Sequence, residues 1–449
     1  MRHALYRATV ILFVALIPAR MVVAQQAAPL RLTLQEAIHR ALVANLNVLT
    51  ASTRVDEAAG ARARSFSSAM LPRVNAEVYS NFQNHSLAAQ GFHFKSLPGI
   101  PSVVGPLSNY DFRIFAQQNV VDLQSYRALK ASEQTLDAGK MDEQNARDLI
   151  VRAVASLYLN AQSAQARVDS AHSRVTDSNT LYKLAKDRHD AGTATGVDVL
   201  RAQVQLANDK QVLLEERNQY TQYLLELARN LGMNPGTPIE LAEPLEYRTL
   251  TQKQADELLP TALAARADYL SFDHQRQSLV EQQRANRARF YPKFSISGNI
   301  GELGRSIGSV NTTGLIQGQI DFTVFDRDRE GEAQQLASRI RRIDDQIDDL
   351  RRGVDEEIRA ALLNLDSANE QVSVAAEGKQ LARRELDEAQ DRFAAGTANN
   401  VEVVTAQDEL ARAEENYILA VSRHVDAKYA LARALGDTEK NILDFAASR

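Results

Sequence analysis

An internal repeat constrains this chain more than any other feature, because a duplicated sequence must build the same local structure twice. The first copy reads "RHDAGTATGVDVLRAQ" from Arg188, and the second reads "RFAAGTANNVEVVTAQ" from Arg392. When Gly192 is placed over Gly396, the register continues without a gap as far as Gly436. Each copy joins two long polar stretches through a Gly-Thr turn, which predicts the tips of two helical hairpins.

The composition favours long helices over a compact enzyme domain. The chain has 449 residues, more than one hydrophobic core usually holds, and it contains no Cys and no Trp. Ala, Gln, Glu, Arg and Leu are abundant, a mixture typical of long helices and coiled coils. The absence of Cys excludes disulfides, thiol nucleophiles and Cys-ligated zinc.

Residues 1–24 are predicted to be an export signal. Arg2 and Arg7 form a basic start, and the apolar run "ATVILFVALI" is too short to span a bilayer comfortably. "VVA", which ends at Ala24, offers small residues for cleavage. A membrane anchor is the alternative, and Arg20 close behind the run disfavours it. The mature chain is acidic and lacks basic clusters, so no nucleic-acid partner is expected.

Residues 25–232 form the first structural repeat, with the order helix, β-hairpin, long helix, Gly-Thr tip, helix. A capping box in "LTLQEAI" begins the first helix, and Leu71–Pro72 ends it near Met70. The period then changes to two in "RVNAEVYSNFQ" and "YDFRIFAQQNV", which predicts a β-hairpin over about 73–121 with a long loop. The helix that follows runs to about Asp190, far longer than an ordinary globular helix.

The same plan returns in residues 253–436, after a connecting segment at 233–252. A helix of about 253–289 ends before Tyr291–Pro292, and a second β-hairpin is predicted over about 293–325. The next long helix carries Ile, Leu and Val at alternating steps of three and four, which indicates a coiled-coil seam. Residues 437–449 remain as a C-terminal tail.

The predicted strands place apolar and polar side chains on opposite faces. Strands of about 10 residues with this alternation are typical of a transmembrane β-barrel wall, although a half-buried sheet in a soluble protein has the same pattern. The adjoining long helices, and the lack of a core for the strands to cover, favour the barrel. The polar, lumen-facing set is Arg73, Asn75, Glu77, Gln317, Gln319 and Asp321, and the set expected in interfacial aromatic belts is Tyr79, Phe82, Tyr110, Tyr291, Phe322 and Phe325.

Four strands are too few to close a barrel, since closed barrels use about eight or more. An open sheet edge in lipid leaves unpaired backbone groups, and each costs several kcal/mol. The membrane interpretation therefore requires several subunits to pool their strands, about eight in a dimer or twelve in a trimer.

Taken in this order, the units resemble the TolC-type outer-membrane efflux proteins, or outer membrane factors, over essentially the whole mature chain. The motifs that carry the resemblance are "LTLQEAIHRAL", Leu71–Pro72 with Tyr291–Pro292, "VFDRDREGEAQQL", and the pair "AGTATGVDVL" and "AGTANNVEVV". The resemblance implies a mainly α fold with a small transmembrane β part. The duplicated helical hairpins would form a trimeric α-barrel, and four strands per subunit would contribute to a twelve-stranded β-barrel. The segment 233–252 would be the equatorial connection.

The function implied by the resemblance is a passive exit duct in the cell outer membrane, with a long periplasmic part. The homotrimer, in contact with outer-membrane lipid, would dock to a periplasmic adaptor and an inner-membrane pump of the RND, ABC or a similar class. It would serve efflux or type I secretion of small molecules or polypeptides. A periplasmic coiled-coil adaptor is the alternative, but the all-β modules of an adaptor are missing. A structural scaffold protein would leave the strands unexplained.

The resemblance also implies which residues act at the hairpin tips. The adaptor-contact set is Gly192, Thr193, Ala194, Gly396, Thr397 and Ala398, where small residues let another hairpin approach. Asp198 and Glu402 are the pore acids of the periplasmic entrance, where a ring of carboxylates favours cations. The other interpretation is that both acids only complement a helix dipole. Thr405 stands where the type member has a second acid, and Ala398 stands where it has an arginine, which implies a different latch.

No catalytic, cofactor or metal site is predicted. His85 and His93 are loop histidines without evident partners, and "GNIGELG" lacks the helix start and the Lys-Ser/Thr of a phosphate loop. "RRIDDQIDDLRR" is expected to be the solvated flank of a coiled coil. Because no Ser-His-Asp set or carboxylate pair is legible, the chain is not expected to be an enzyme.

Overall fold

The structure is a computed structural model that describes residues 29–87, 89, 91, 103–250 and 255–447. The predicted export signal and His93 lie outside the described residues. The elements of the first half are β1 (Leu30–Leu32), α1 (Leu34–Ala44), α2 (Leu46–Met70), β2 (Arg73–Ser86), β3 (Val103–Val121), α3 (Leu123–Asp190) and α4 (Gly196–Asn230). The elements of the second half are β4 (Ile239–Leu241), α5 (Ala255–Ala265), α6 (Ala267–Ala288), β5 (Lys293–Gly304), β6 (Val310–Asp321), α7 (Asp328–Ala394), α8 (Asn400–Leu435) and α9 (Thr438–Ala447).

Two very long helices dominate the chain and confirm the mainly helical fold. α3 has 68 residues and α7 has 67, so each is about 100 Å long at about 1.5 Å per residue. α3 packs against α4, α7 packs against α8, and α3 also contacts α8, which places the two helical hairpins side by side. The predicted seam of α7 is buried at Ile343 and Val354 and continues through Ile358 and Leu365.

The other prominent element is a four-stranded antiparallel sheet in the order β2-β3-β5-β6. Gln117 pairs with Ser297, and Ser297 pairs with Gln317, so one polar face is continuous across three strands. The opposite face carries exposed Val78, Ile300 and other apolar residues. The period-two prediction is therefore confirmed. β2 and β6 are the outer strands and pair on one side only within the described residues.

Side-chain contacts correct one prediction on the sheet. Tyr79 pairs with Asp111 across β2 and β3, and its hydroxyl donates a hydrogen bond to Asp111 Oδ2 at 2.6 Å. Tyr79 therefore lies on the polar face with Glu77, not on the apolar face where an interfacial belt forms. Phe82 and Phe322 are exposed, as a belt position requires.

The boundaries of several helices and of one hairpin differ from the predictions. The helix predicted to reach Met70 is divided at Asn45, whose side chain accepts the N–H of Asn47 at 2.9 Å and caps α2. The described part of the second such helix is divided at Arg266, where the backbone is extended. The second hairpin ends at Asp321 rather than 325, and the C-terminal tail includes helix α9.

No helix in the described ranges is long and apolar enough to cross a membrane.

The largest apolar core lies at the waist of the chain, which we define as the region where α1, α9, the middle of α3 and the end of α8 meet the short parallel pair β1 and β4. Tyr158 of α3 is fully buried there, and its hydroxyl donates a hydrogen bond to the Leu32 carbonyl at 2.9 Å. That contact ties the long helix to β1, so the waist fixes both hairpins relative to each other.

We expect Tyr158→Phe to lower the free energy of unfolding by about 1 kcal/mol, because it removes a buried hydrogen bond without changing the packed ring. Tyr126→Phe is the matched control, since that ring is exposed on α3. Thermal unfolding followed by circular dichroism measures both variants. An unchanged midpoint for Tyr158→Phe would show that this contact does not hold the waist together.

Candidate functional site

In both hairpin tips, the first long helix ends in the same way, with a glycine just after its C-cap residue. Gly192 follows α3 with φ 76, and Gly396 follows α7 with φ 79, a left-handed conformation that favours glycine. The next residue returns its N–H to the last turn: Thr193 to the Arg188 carbonyl at 2.8 Å, and Thr397 to the Arg392 carbonyl at 2.9 Å. This is the Schellman arrangement, which satisfies carbonyls that a helix end leaves free.

The threonines of the two tips add a second bond to the same acceptors. Thr193 Oγ1 donates to the Arg188 carbonyl at 3.0 Å, and Thr397 Oγ1 donates to the Arg392 carbonyl at 3.1 Å. The Gly-Thr pair therefore has a structural reason in each copy. Of the predicted adaptor-contact set, Gly192, Thr193, Gly396 and Thr397 are exposed, whereas Ala194 and Ala398 are half-buried.

The helices that leave the tips are capped differently. Thr195 begins α4 with a capping box. Asp198 Oδ2 accepts hydrogen bonds from the Thr195 backbone N–H at 3.1 Å and from the Thr195 hydroxyl at 2.7 Å. Asn399 begins α8, and its Oδ1 accepts the N–H groups of Val401 at 3.0 Å and Glu402 at 3.2 Å. Because Asn399 caps α8 by itself, Glu402 is not needed for the cap.

The Asp198 carboxylate is hydrogen-bonded to Thr195 at the start of its own helix, α4. The hydrogen bond from the Thr195 hydroxyl, together with the Thr195 N–H and nearby Arg201, lowers the pKa of the Asp198 carboxyl below its ordinary value. Its side chain is only 17% exposed. The contacts of Asp198 thus agree with the helix-start interpretation, while its place beside the tip leaves the pore-acid interpretation as a proposal.

Glu402 has a different environment from its counterpart in the first repeat. Its side chain is 42% exposed, and one carboxylate oxygen lies 3.3 Å from Arg392 Nη2 at the end of α7. Arg392 is itself 59% exposed. The second tip therefore presents a solvent-facing pair of opposite charges, and Glu402 is the more available of the two predicted pore acids.

Arg188 and Asn400 each make a polar contact from one tip to the other, and neither was predicted from the sequence. Arg188 Nη1 donates a hydrogen bond to the Phe393 carbonyl, and its guanidinium lies 4.9 Å from the centre of the Phe393 ring. Asn400 Nδ2 donates to the Asp198 carbonyl at 2.8 Å. Asn400 is fully buried, and its Oδ1 has no hydrogen bond within the described residues. The available signal was the divergence between repeats, since Asn400 stands opposite Gly196.

An apolar cluster behind the tips holds all four long helices together. Its buried members include Leu181 on α3, Ala202 on α4, Leu386 on α7 and Val403 on α8. The cluster fixes the helix ends and so presents both Gly-Thr turns at the same end of the molecule. Among the described residues, no group of three or more His, Asp or Glu side chains is arranged to hold a metal ion.

The sequence profile of the Outer membrane efflux protein family matches residues 37–233 and 258–437, which is most of the chain and includes both tips and both β-hairpins. The chain belongs to the outer membrane efflux protein family. Membership favours an outer-membrane efflux protein over the adaptor alternative and indicates an outer-membrane location. The family is one of efflux proteins and not of enzymes.

This outer membrane efflux protein is similar in sequence to known efflux-pump proteins and similar in fold to a solved structure. It is 24% identical over 302 residues to two proteins of Pseudomonas putida, the antibiotic efflux pump outer membrane protein ArpC and the toluene efflux pump outer membrane protein TtgC. Each match covers 65% of this chain and 59% of the relative. The outer membrane protein VceC of Vibrio cholerae has the same fold, with a TM-score of 0.74, 20% identity, and coverage of 90% of this chain and 96% of VceC.

We expect Arg188→Gln to loosen the second tip of this efflux protein. The change removes a charge-assisted hydrogen bond and a cation–π contact, and their loss favours local opening by about tenfold. Arg384→Gln, at an exposed position of α7, is the matched control. Hydrogen–deuterium exchange of peptides spanning Arg392–Glu402 measures the opening. Equal exchange in both variants would show that Arg188 does not join the tips.

Proposed function

We propose that this efflux protein is the passive outer-membrane exit duct of a tripartite efflux or type I secretion system. Three copies would form the duct, and a periplasmic adaptor and an inner-membrane pump would drive transport, so the chain itself catalyses no covalent step. The observation that carries the proposal is the four-stranded sheet with one polar face, one apolar face and two outer strands, joined to helices about 100 Å long.

The outer strands support pooling of sheets between copies. β2 and β6 run in opposite directions, since each strand of the order β2-β3-β5-β6 is antiparallel to the next. β6 of one copy can therefore continue the antiparallel pattern with β2 of the next. Such pairing satisfies the backbone groups that an open edge would leave without partners in lipid. Three sheets joined this way give about twelve strands, which is enough for a closed barrel.

Exposed apolar side chains on the helices support the same assembly. Val197, Leu200 and Val204 follow one face of α4, which packs mainly against α3 within the described residues. Leu363 and Val374 are exposed on α7, the helix at the other side of the hairpin pair. Monomeric proteins rarely leave contiguous apolar faces in water. Contact between α4 of one copy and α7 of the next would cover both faces and close a helical tunnel.

At the far end of that tunnel, the tips would form the periplasmic entrance and the adaptor contact. Gly192, Thr193, Gly396 and Thr397 are exposed there and present little side-chain bulk. Glu402 with its partner Arg392 would stand at the mouth. The names of two relatives support a small-molecule cargo, because ArpC is an antibiotic efflux protein and TtgC is a toluene efflux protein. We therefore favour small molecules over polypeptides. The pump would be of the RND, ABC or a similar class.

The sheet faces provide a matched test of the membrane placement. Ile316 and Gln317 are neighbours on β6, and Ile316 is 87% exposed on the apolar face. Ile316→Lys is expected to cost about 2–4 kcal/mol if that face meets lipid near the membrane centre, whereas Gln317→Lys faces the lumen and costs little.

Membrane fractionation and unheated gel electrophoresis measure the yield of outer-membrane trimer for both variants. We expect the wild type and Gln317→Lys to run as trimers that heat converts to monomers, and Ile316→Lys to be depleted. Recovery of the wild type as a soluble monomer would contradict the duct. Equal yields of the two variants would contradict this orientation of the sheet.

The charge pair at the mouth gives a second test. Glu402→Gln leaves Arg392 without its counter-charge, so we expect weaker cation preference in planar-bilayer conductance. Arg392→Gln has the opposite effect and is expected to strengthen cation preference. Glu439→Gln on α9, far from the tips, is the control for a simple change in net charge. Unchanged selectivity in both tip variants would place Glu402 outside the conducting path.

A further inference from the structure

A cavity of about 520 Å³ lies at the waist, away from the tips and from the sheet. Five segments of the chain form its walls: the start of α1, the middle of α3, the stretch after β4, the end of α8, and α9. A volume in the range of about 300–1,000 Å³ is typical of pockets for small molecules. Nothing in the proposed transport function uses this cavity.

Lys428 of α8 is the buried charge of the cavity wall. Lys428 is only 3% exposed. Its Nζ donates hydrogen bonds to the Arg248 carbonyl at 2.9 Å and the Phe445 carbonyl at 3.2 Å. An ammonium group has three donors, so one N–H is not used by these bonds. Both acceptors are neutral, and no carboxylate of the described residues forms an ion pair with Lys428.

The surroundings destabilise the protonated form of Lys428. Burial first, and then the positive charge of Arg248, lower the pKa of Lys428 to about 8. A buried charge without a counter-charge is among the least favourable arrangements in a folded protein. An anion that enters the cavity would supply that counter-charge and the acceptor for the third N–H.

The remaining lining limits what the anion can be. Leu245, Val425 and Leu443 give the cavity an apolar wall. Glu243 and Glu246 also line it, and both are exposed to solvent. The negative charges of Glu243 and Glu246 disfavour ligands with several anionic groups. A ligand with one anionic group can place that group on the buried Lys428 and its apolar part against the apolar wall.

We propose that the waist cavity binds a small amphipathic carboxylate, with the carboxylate on Lys428 Nζ and the apolar body against Leu245, Val425 and Leu443. The bound molecule joins α8, the segment after β4 and α9, because Lys428 already bonds to carbonyls of the latter two. Binding therefore stabilises the waist and does not depend on transport.

The test uses the purified full chain in detergent with three probes of equal chain length: hexanoate, hexan-1-ol and hexylamine. We expect hexanoate to raise the unfolding midpoint in a saturable way, the alcohol to act weakly, and the amine to have no effect. Lys428→Met should weaken hexanoate binding by about tenfold or more in calorimetry. Lys440→Met, at an exposed position on α9, should bind as the wild type does.

A second variant covers the case in which Lys428→Met does not fold. Val425→Phe keeps the ammonium and fills part of the cavity, so it should also weaken hexanoate binding. If both Val425→Phe and Lys428→Met bind hexanoate as the wild type does, the proposal is wrong. Equal stabilisation by hexan-1-ol and hexanoate would likewise overturn it, since apolar contact alone would then explain binding.

The pH dependence gives an independent readout. Hexanoate binding is expected to fall as the pH rises above about 8, because the Lys428 ammonium loses its proton there. Burial lowers the pKa of neighbouring His424 to about 4 and raises the pKa of Tyr158 and Tyr429 above the ordinary value, so these groups do not change charge near pH 8. Arg248, Glu243, Glu246 and Asp444 are the other charged groups around the cavity. Binding that does not change between pH 7 and pH 10 would contradict the role of Lys428.

Discussion

Backbone hydrogen bonding at the outer strands of the sheet is the constraint on which the architecture depends. β2 and β6 each pair on one side only in the described chain, and the apolar face of the sheet carries residues such as Val78 and Ile300 that nothing covers. Lipid can cover the apolar face, but it cannot bond to the unpaired N–H and carbonyl groups of the edges. Another copy of the same chain can, because its complementary outer strand has the matching direction. In the proposed trimer, the long helices would then surround the same axis as the strands.

Sequence periodicity was sufficient for the elements that repeat a simple pattern. The change from a helical period to a period of two at Leu71–Pro72 and Tyr291–Pro292 placed both β-hairpins, and the Gly-Thr pairs placed both tips. What the sequence did not reveal depends on acceptors that carry no signature. The bond of Tyr158 to a backbone carbonyl, and those of Lys428 to two others, involve atoms that every residue has. Strands of three residues such as β1 are likewise too short to show a period.

The two repeats also show how equivalent positions diverge once the fold is fixed. Ser178 and Asp209 form a buried hydrogen bond across the first hairpin, and the positions that correspond to them in the second repeat are Ala382 and Ala413. The first hairpin has a hydrogen-bonded polar pair at these positions, and the second hairpin has two small apolar residues there. The tips follow the same rule, since Asp198 is held by its own cap while Glu402 pairs with Arg392. A motif match in one repeat therefore does not assign the role of its counterpart.

The distribution of contacts along the hairpins bears on how an entrance could open. At the waist, a broad apolar core joins α1, α3, α8 and α9, and separation there would expose many fully buried side chains. At the tips, the polar links between the hairpins include the Arg188 contact with Phe393 and the Asn400 bond to the Asp198 carbonyl. Local opening takes place where few buried contacts are lost. Separation of the tips would also open the apolar cluster of Leu181, Ala202, Leu386 and Val403, but that cluster is smaller than the core at the waist. We therefore expect any opening of the proposed entrance to begin at the tips while the waist stays closed.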